Sequence, residues 1–183
     1  MSERTIEVES DGAVARVWMN RPAVHNALNE EMIDELAETF LRLGEAPEVR
    51  VIVLSGRGRS FSAGGDADYM RRQGEAPPHT NLATARGLAE MFRIIASSPK
   101  PTIARVNGAA LGGGLGLVAV CDIALGVTGA VLAVPEVRLG LIPSTIAPYV
   151  LRAIGPRQAS ACPGETSWPS DRNLIPCAST GMS

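Results

Sequence analysis

Residues that build metal centres and disulfide frameworks are scarce in this sequence. Its 183 residues include three cysteines and two histidines, and no CxxC pair occurs. A structural zinc site is therefore not expected, and no metal is predicted. A serine-hydrolase function is also disfavoured, because His25 and His79 are the only candidate histidine bases and no GxSxG motif is present. His79 follows two prolines and is predicted to lie in a surface loop.

The sequence also lacks an excess of basic charge and a long uninterrupted apolar run. Lys and Arg total 17 against 19 Asp and Glu, so no nucleic-acid partner is expected. The longest apolar stretch, residues 109–125, is broken by glycines and Asp122. It falls short of the roughly 18 residues that a membrane span needs, so no membrane partner is expected. The charged N-terminal segment contains no apolar signal region, which predicts a cytoplasmic location with free thiols.

The sequence does contain a regular alternation of strand-like and helix-like segments. Apolar residues alternate with polar ones on both sides of Asp11-Gly12, which predicts a β-hairpin. A helical repeat of apolar residues begins after Asn29 and ends near Gly44, which predicts a helix with Asn29 as its N-cap. The apolar run 51–55 predicts a central parallel strand, so the expected class is α/β. Later segments continue the alternation with a helical repeat from Leu82 to Ile95, strands over 102–106, 122–126 and 131–134, and a helix over 146–154.

Two glycine-dense segments follow predicted strands. Residues 61–66 read Phe-Ser-Ala-Gly-Gly-Asp, and three glycines at 112–114 precede an apolar helix that runs to about Cys121. Glycine lets the backbone approach a ligand, and a helix N-terminus offers unpaired N–H groups that favour negative charge. Two such donors facing one oxygen would form an oxyanion hole, in which each donor stabilises the transition state by about 2.7–4 kcal/mol. Sharp turns explain either motif alone equally well, but together they favour a binding site.

Four motifs occur in a fixed order along the chain. They are Arg21-Pro-Ala-Val-His-Asn-Ala-Leu, Phe61-Ser-Ala-Gly-Gly-Asp, Val106-Asn-Gly-Ala-Ala-Leu-Gly-Gly-Gly-Leu and Pro135-Glu-Val-Arg-Leu-Gly-Leu-Ile-Pro. This order and approximate spacing resemble the enoyl-CoA hydratase/isomerase (crotonase) family over about residues 5–158. The resemblance implies that residues 1–158 form an α/β crotonase-like spiral of repeated β-β-α units. Residues 159–183 match nothing in the family and are predicted to form a disordered tail.

The resemblance implies an acyl-CoA thioester as the ligand, with coenzyme A carried by the substrate and no separate cofactor. It implies that the N–H groups of Gly65 and Gly113 bind the thioester oxygen, and that the backbone of residues 63–67 meets the adenine end of CoA. His25 occupies a position where several family members place a basic residue for a CoA phosphate, although a half-exposed loop histidine explains it equally well. The implied substrate and CoA contacts are Val24, His25, Ala27, Ala63, Gly64, Gly65, Asp66, Ala67, Leu111, Gly112 and Gly113.

Glu136 matches the family's second catalytic glutamate, which moves a proton to or from substrate carbon or water. Because it follows an apolar strand and Pro135, burial is expected to raise the pKa of its carboxyl, which suits general acid–base catalysis. An ordinary surface glutamate is the alternative. Gly116 occupies the place of the first glutamate in two-glutamate hydratases, so only one acid of that pair is present.

The segment 136–143 and Gly116-Leu117 most resemble family members that hydrate methylglutaconyl-CoA or isohexenylglutaconyl-CoA, which predicts a branched or glutaconyl-type enoyl-CoA substrate. By the same resemblance, the family's C-terminal helices, which cover the acyl pocket and build trimers, are expected to be missing from this sequence. A shifted reading frame is one hypothesis for residues 161–183. For the family as a whole, the resemblance implies a homotrimer or hexamer.

Three alternatives to a hydratase follow from the same residues. Double-bond isomerisation shares the enolate intermediate, so an isomerase is the first. A truncated paralogue that binds CoA without turnover is the second. A dinucleotide-binding protein is the third, because residues 114–119 imitate a GxGxxA turn and Glu136 follows at a suitable distance. That last hypothesis leaves three crotonase-like motifs unexplained and is disfavoured.

Overall fold

A computed structural model describes residues 4–136 and 142–160 of the protein. Strands and helices alternate along these residues, as the sequence predicts. The strands are β1 Ile6–Asp11, β2 Val14–Met19, β3 Val51–Gly56, β4 Thr102–Val106, β5 Ala110–Leu111, β6 Ile123–Gly126 and β7 Leu132–Ala133. The helices are α1 Glu30–Glu45, α2 Ala67–Glu75, α3 Pro78–Ala96, α4 Gly113–Val120 and α5 Ala147–Ser160, with a short 3-10 helix at Pro22–Val24.

The larger sheet has five strands in the order β1-β2-β3-β4-β6. β1 and β2 form the predicted antiparallel hairpin, in which Gly12 adopts a φ of +58° that glycine tolerates without strain. The other neighbouring pairs are parallel, which confirms the prediction for residues 51–55. Consequently the carboxyl ends of β2, β3, β4 and β6 share one edge of the sheet, and both glycine-dense loops leave from that edge.

A smaller sheet pairs β5 with β7 in parallel. Single parallel bridges join Ser62 to Ala110 and Leu28 to Gly65. Each repeat therefore runs from a strand of the larger sheet to a short extended segment and then to a helix. The repeats are β2 with Leu28 and α1, β3 with 62–65 and α2–α3, β4 with β5 and α4, and β6 with β7 and α5. This arrangement confirms the β-β-α spiral.

The core lies where α1 and α3 pack together under the larger sheet. The Asn29 side chain accepts a hydrogen bond from the Met32 N–H at 3.1 Å, so the predicted N-cap of α1 is confirmed. Leu36 and Phe40 on the apolar face of α1 are at most 2% exposed. Burial of each such side chain contributes about 1.5–3 kcal/mol to folding. The helix is therefore held in place mainly by its buried face.

The sequence patterns missed α2 and misjudged the start of α3. Tyr69 is the only buried residue of α2. Since the helix buries no continuous apolar face, the sequence of α2 has no helical repeat of apolar residues by which it could be predicted. α3 begins at Pro78, so His79 is exposed on a helix and the prediction of a loop was wrong. Leu82, where the predicted apolar repeat starts, is 52% exposed. The buried part of α3 lies near its C-terminal end, at Phe92 and its neighbours.

The last described helix is interrupted where the sequence predicts its end. Gly155 has a φ of 78° and a ψ of 157°, and a short helical segment continues beyond it to Ser160. The predicted domain boundary between residues 158 and 159 falls within this segment. Residues 159 and 160 of the predicted tail are therefore helical, which corrects the prediction of disorder at these two positions. Residues 161–183 of the tail, like residues 137–141, lie outside the described residues. Among the described helices, none is long and apolar enough to cross a membrane.

Candidate active site

The two glycine-dense loops meet at the carboxyl ends of β3 and β4. Gly64, with a φ of +87°, packs so closely on the second loop that a Cβ there would lie 2.8 Å from Leu111 O and 3.5 Å from Gly113 N. The Leu111 N–H also donates to Ser62 O at 2.9 Å. A side chain at position 64 would push the loops apart, which is why glycine is needed there. The two segments that the sequence singled out thus form one site.

The N–H of Gly65 is unpaired among residues 4–136 and 142–160. Leu28 N–H donates to Gly64 O at 2.7 Å, and Asp66 N–H donates to Leu28 O at 2.9 Å. The carbonyl and N–H of one trans peptide point in opposite directions. Because Leu28 holds the Gly64 carbonyl, the Gly65 N–H points away from Leu28 and remains available to a ligand.

The N–H of Gly113 is also without a partner in the described part of the chain. Gly113 is the first residue of α4, where helix geometry leaves N–H groups unbonded. Its neighbour Gly112 donates to Ala133 O at 2.8 Å and accepts from Gly116 N–H at 3.0 Å. The helix end adds a partial positive charge at the same place. Gly113 therefore offers a donor, beside the first loop, that suits a developing negative charge.

Glu136 lies against the second loop. A Cβ at Gly112, whose φ is +49°, would overlap Glu136 Oε1 and lie 2.9 Å from its Cδ. Glu136 Oε2 is buried and accepts no hydrogen bond from the described residues. Burial raises the pKa of the Glu136 carboxyl above its ordinary value, and a hydrogen bond from its own N–H lowers it only in part. This confirms the expected pKa shift and gives the site an acid suited to exchange a proton.

Asp66 uses its side chain to hold the first loop in place. Oδ1 accepts N–H bonds from Asp68 at 3.0 Å and Tyr69 at 3.2 Å and so caps α2, while Oδ2 pairs with Arg21 at 3.0 Å. Burial raises the pKa of Asp66, but the hydrogen bonds from Tyr69 and Arg21 outweigh it and hold the pKa below its ordinary value. Asp66 is therefore ionised, and both of its carboxylate oxygens already have partners within the protein.

His25 lies at the surface between two polar partners. Its Nε2 is 3.1 Å from an Arg59 guanidinium nitrogen, and its Nδ1 is 3.1 Å from Ser60 Oγ. Because arginine can only donate, we assign Nε2 as the acceptor and place the imidazole proton on Nδ1. The exposed Arg59 guanidinium is thereby held beside His25, and the sequence interpretation gave it no role.

The other predicted contact residues differ in exposure. Val24 is 43% exposed, and Ala67 is exposed as the first residue of α2, so both are open to a ligand. Leu111 is half-buried in β5. Ala27 is only 7% exposed, and its carbonyl oxygen accepts a hydrogen bond from the Arg21 guanidinium. A contact through Ala27 would need that hydrogen bond to be shared.

Gly116 is enclosed by apolar side chains. A Cβ there would lie 2.5 Å from Ile146 Cγ2 and 2.8 Å from Phe92 Cζ. The position therefore lies in packing contact with the regions of α3 and α5 and has no room for a carboxylate. Among the residues that the structure describes, no cluster of His, Cys, Asp or Glu is arranged to hold a metal ion.

Comparison with known proteins agrees with this architecture. The family model for enoyl-CoA hydratase/isomerase matches residues 9–163. The chain belongs to this family. It is 33% identical over 161 residues to the crotonyl-CoA hydratase of Syntrophomonas wolfei, a match that covers 87% of this chain and 61% of the relative.

Solved crotonase-family structures share the fold. An enoyl-CoA hydratase from Shewanella pealeana superposes with a TM-score of 0.83 at 39% identity, covering 86% of this chain and 59% of that one. An enoyl-CoA hydratase from Mycobacterium smegmatis gives a TM-score of 0.81 at 34% identity, covering 87% and 62%. The chain spans about half to three-fifths of the length of the curated relatives it matches.

Sequence interpretation of this crotonase-family chain missed two buried polar residues. Asn26 is 0% exposed, and its side chain bonds three backbone groups of the surrounding loops. Ser62 is also 0% exposed and lies two residues before Gly64. Both occur within the recognised motifs, but nothing in their spacing indicates that they would be buried together.

Proposed function

We propose that this chain binds an acyl-CoA thioester, polarises the thioester carbonyl with the N–H groups of Gly65 and Gly113, and moves a proton with Glu136. The observation that carries the proposal is the contact of the Glu136 carboxyl with Gly112, which directly precedes Gly113 and its free N–H. Glu136 Oε2 is buried there and has no hydrogen-bond partner among the described residues. An acid and an oxyanion donor side by side suit chemistry at the carbon next to a carbonyl. Membership of the enoyl-CoA hydratase/isomerase family supports the same substrate class.

In the proposed hydration, the oxygen of water bonds to the β-carbon of the enoyl group while the C=C π electrons move towards the thioester. Negative charge collects on the thioester oxygen, where the two N–H groups stabilise it. The α-carbon then receives a proton from Glu136, and the proton that water loses restores the carboxyl. The CoA of the substrate is the only coenzyme in this scheme.

The finer proposal is a branched or glutaconyl-type enoyl-CoA. Position 116 has no room for a second carboxylate, because Ile146 and Phe92 enclose it. A substrate that brings its own carboxylate could supply the polar group that a one-glutamate site lacks. Assembly as a trimer or hexamer stays a prediction from the family resemblance.

Isomerisation is the second candidate, and the single acid favours it. One carboxyl can remove a proton from one carbon and return it to another without a second acid. The same enolate and the same two N–H donors would be used. A chain that binds CoA thioesters without turnover is the remaining alternative.

The test follows enoyl-thioester absorbance after the protein is added to crotonyl-CoA, to 3-methylglutaconyl-CoA and to a 3-enoyl-CoA. Hydration lowers the absorbance of the first two, whereas isomerisation raises that of the third. Glu136→Gln should abolish either change, while Glu38→Gln, an exposed glutamate of α1, should not. Full turnover by Glu136→Gln would refute the assigned proton transfer. Binding without any absorbance change would favour the non-catalytic alternative.

A further inference from the structure

The Asn26 side chain bonds three backbone groups from a fully buried position. Its Oδ1 accepts the Arg21 N–H at 2.9 Å, and its Nδ2 donates to Arg57 O and Ser60 O, both at 2.9 Å. The partners fix the orientation of the amide, since the opposite orientation would face an oxygen towards two carbonyls. A buried polar side chain with all its partners built into the fold specifies one arrangement of the loops around it.

The backbone of Asn26 continues this network into the candidate site. Asn26 and the preceding His25 both have a φ of 55°, a left-handed conformation that asparagine tolerates better than most residues. The Asn26 carbonyl accepts the Ser62 hydroxyl at 2.8 Å, and Ser62 Oγ accepts the Gly64 N–H at 3.3 Å. Two hydrogen bonds therefore link Asn26 to the residue immediately before Gly65.

The same segment is fixed a second time at the next peptide. Leu28 N–H holds the Gly64 carbonyl at 2.7 Å. That carbonyl shares a planar peptide unit with the Gly65 N–H. With the Gly64 N–H held by Ser62 and its carbonyl held by Leu28, both peptide planes that flank Gly64 are restrained. The direction of the Gly65 N–H is then set by residues that need not touch the substrate.

We propose that Asn26 and Ser62 are positioning residues that aim the Gly65 N–H at the substrate carbonyl oxygen. This inference rests on the proposed function, in which that N–H is one of two oxyanion donors. Misplacement of a catalytic group by about 1 Å can cost on the order of 10²-fold in rate. Loss of the Ser62 hydroxyl should therefore lower kcat far more than it raises KM, because the affinity for the CoA part of the substrate does not depend on it.

The test compares Ser62→Ala with Ser55→Ala in the full chain. Ser55 is a matched control, because it is 2% exposed and its hydroxyl donates to Arg105 O at 2.9 Å on a different strand. The probe is an aminocinnamoyl-CoA thioester, whose absorbance shifts to longer wavelength when its carbonyl is polarised. We expect a red shift with the native chain and with Ser55→Ala, and loss of most of it with Ser62→Ala. Binding of an S-alkyl-CoA thioether, which lacks the carbonyl, should be the same for all three.

A second variant covers the case in which Ser62→Ala fails to fold. Asn26→Asp keeps the shape of the side chain but faces an oxygen towards two carbonyls, and should also reduce the red shift with thioether binding preserved. An equal red shift in Ser62→Ala and Ser55→Ala would overturn the positioning role. Absence of the shift in the native chain would instead contradict the proposed oxyanion site, and the positioning role with it.

Discussion

The prediction most directly tied to the geometry concerns Gly116→Ala. The added Cβ would lie 2.5 Å from Ile146 Cγ2 and 2.8 Å from Phe92 Cζ, whereas carbon atoms pack best at about 3.5–4.0 Å. The neighbouring side chains must therefore move by about 1 Å. Overpacking of this kind costs about 1–3 kcal/mol of the free energy of unfolding.

An opposing term has to be subtracted from that cost. Alanine is more favourable than glycine in a helix interior by about 1 kcal/mol, and Gly116 lies within α4. The net expectation is a destabilisation of about 0–2 kcal/mol. Gly87→Ala supplies the matched control, because Gly87 lies in α3 with nothing within 4 Å of an added Cβ. It should stabilise the protein by the full helix-propensity term.

Urea unfolding followed by circular dichroism measures both effects. Gly87→Ala should raise the midpoint and Gly116→Ala should not, with a difference in stability of about 1–3 kcal/mol between the two variants. If Gly116→Ala stabilised the chain as much as Gly87→Ala, position 116 would not be enclosed and the explanation for its missing carboxylate would fail. Gly116→Glu should be still more destabilising, since it adds a charge to the same apolar contact.

Two further predictions concern the contact between Gly112 and Glu136 and the pKa of the Glu136 carboxyl. Gly112→Ala should reduce turnover by about 10²-fold, because its Cβ would displace the Glu136 carboxyl; unchanged kcat would contradict that contact. The pKa of Glu136 in the folded chain is raised above its ordinary value of 4.5. Between the unfolded and the folded pKa, the folded chain keeps a proton that the unfolded chain has released, so the free energy of unfolding falls as the pH rises through that range. Glutamine at position 136 cannot titrate. The unfolding midpoint of Glu136→Gln, relative to that of the native chain, should therefore be higher at about pH 7 than at about pH 4. A gap that does not change with pH would refute the raised pKa.

Local patterns predicted most of the elements because each depends on near neighbours in the sequence. The hairpin at Gly12 and the capped start of α1 at Asn29 follow from turn and capping preferences that span a few residues. α2 was missed because its sequence is mostly polar, and it is held by Asp66 rather than by an apolar face. The N-terminal part of α3 was assigned a buried repeat that the fold leaves exposed at Leu82.

The sequence by itself determined the family, the β-β-α order and the identity of Gly65, Gly113 and Glu136 as candidates, because these depend on motifs that are contiguous along the chain. Only the tertiary structure decided how they meet. The contact between Gly112 and Glu136 joins residues 24 positions apart, the link from Asn26 to Ser62 spans 36, and the enclosure of Gly116 depends on Phe92 and Ile146 from other elements. Contacts of this kind arise from packing between distant segments, which no local pattern of residues specifies.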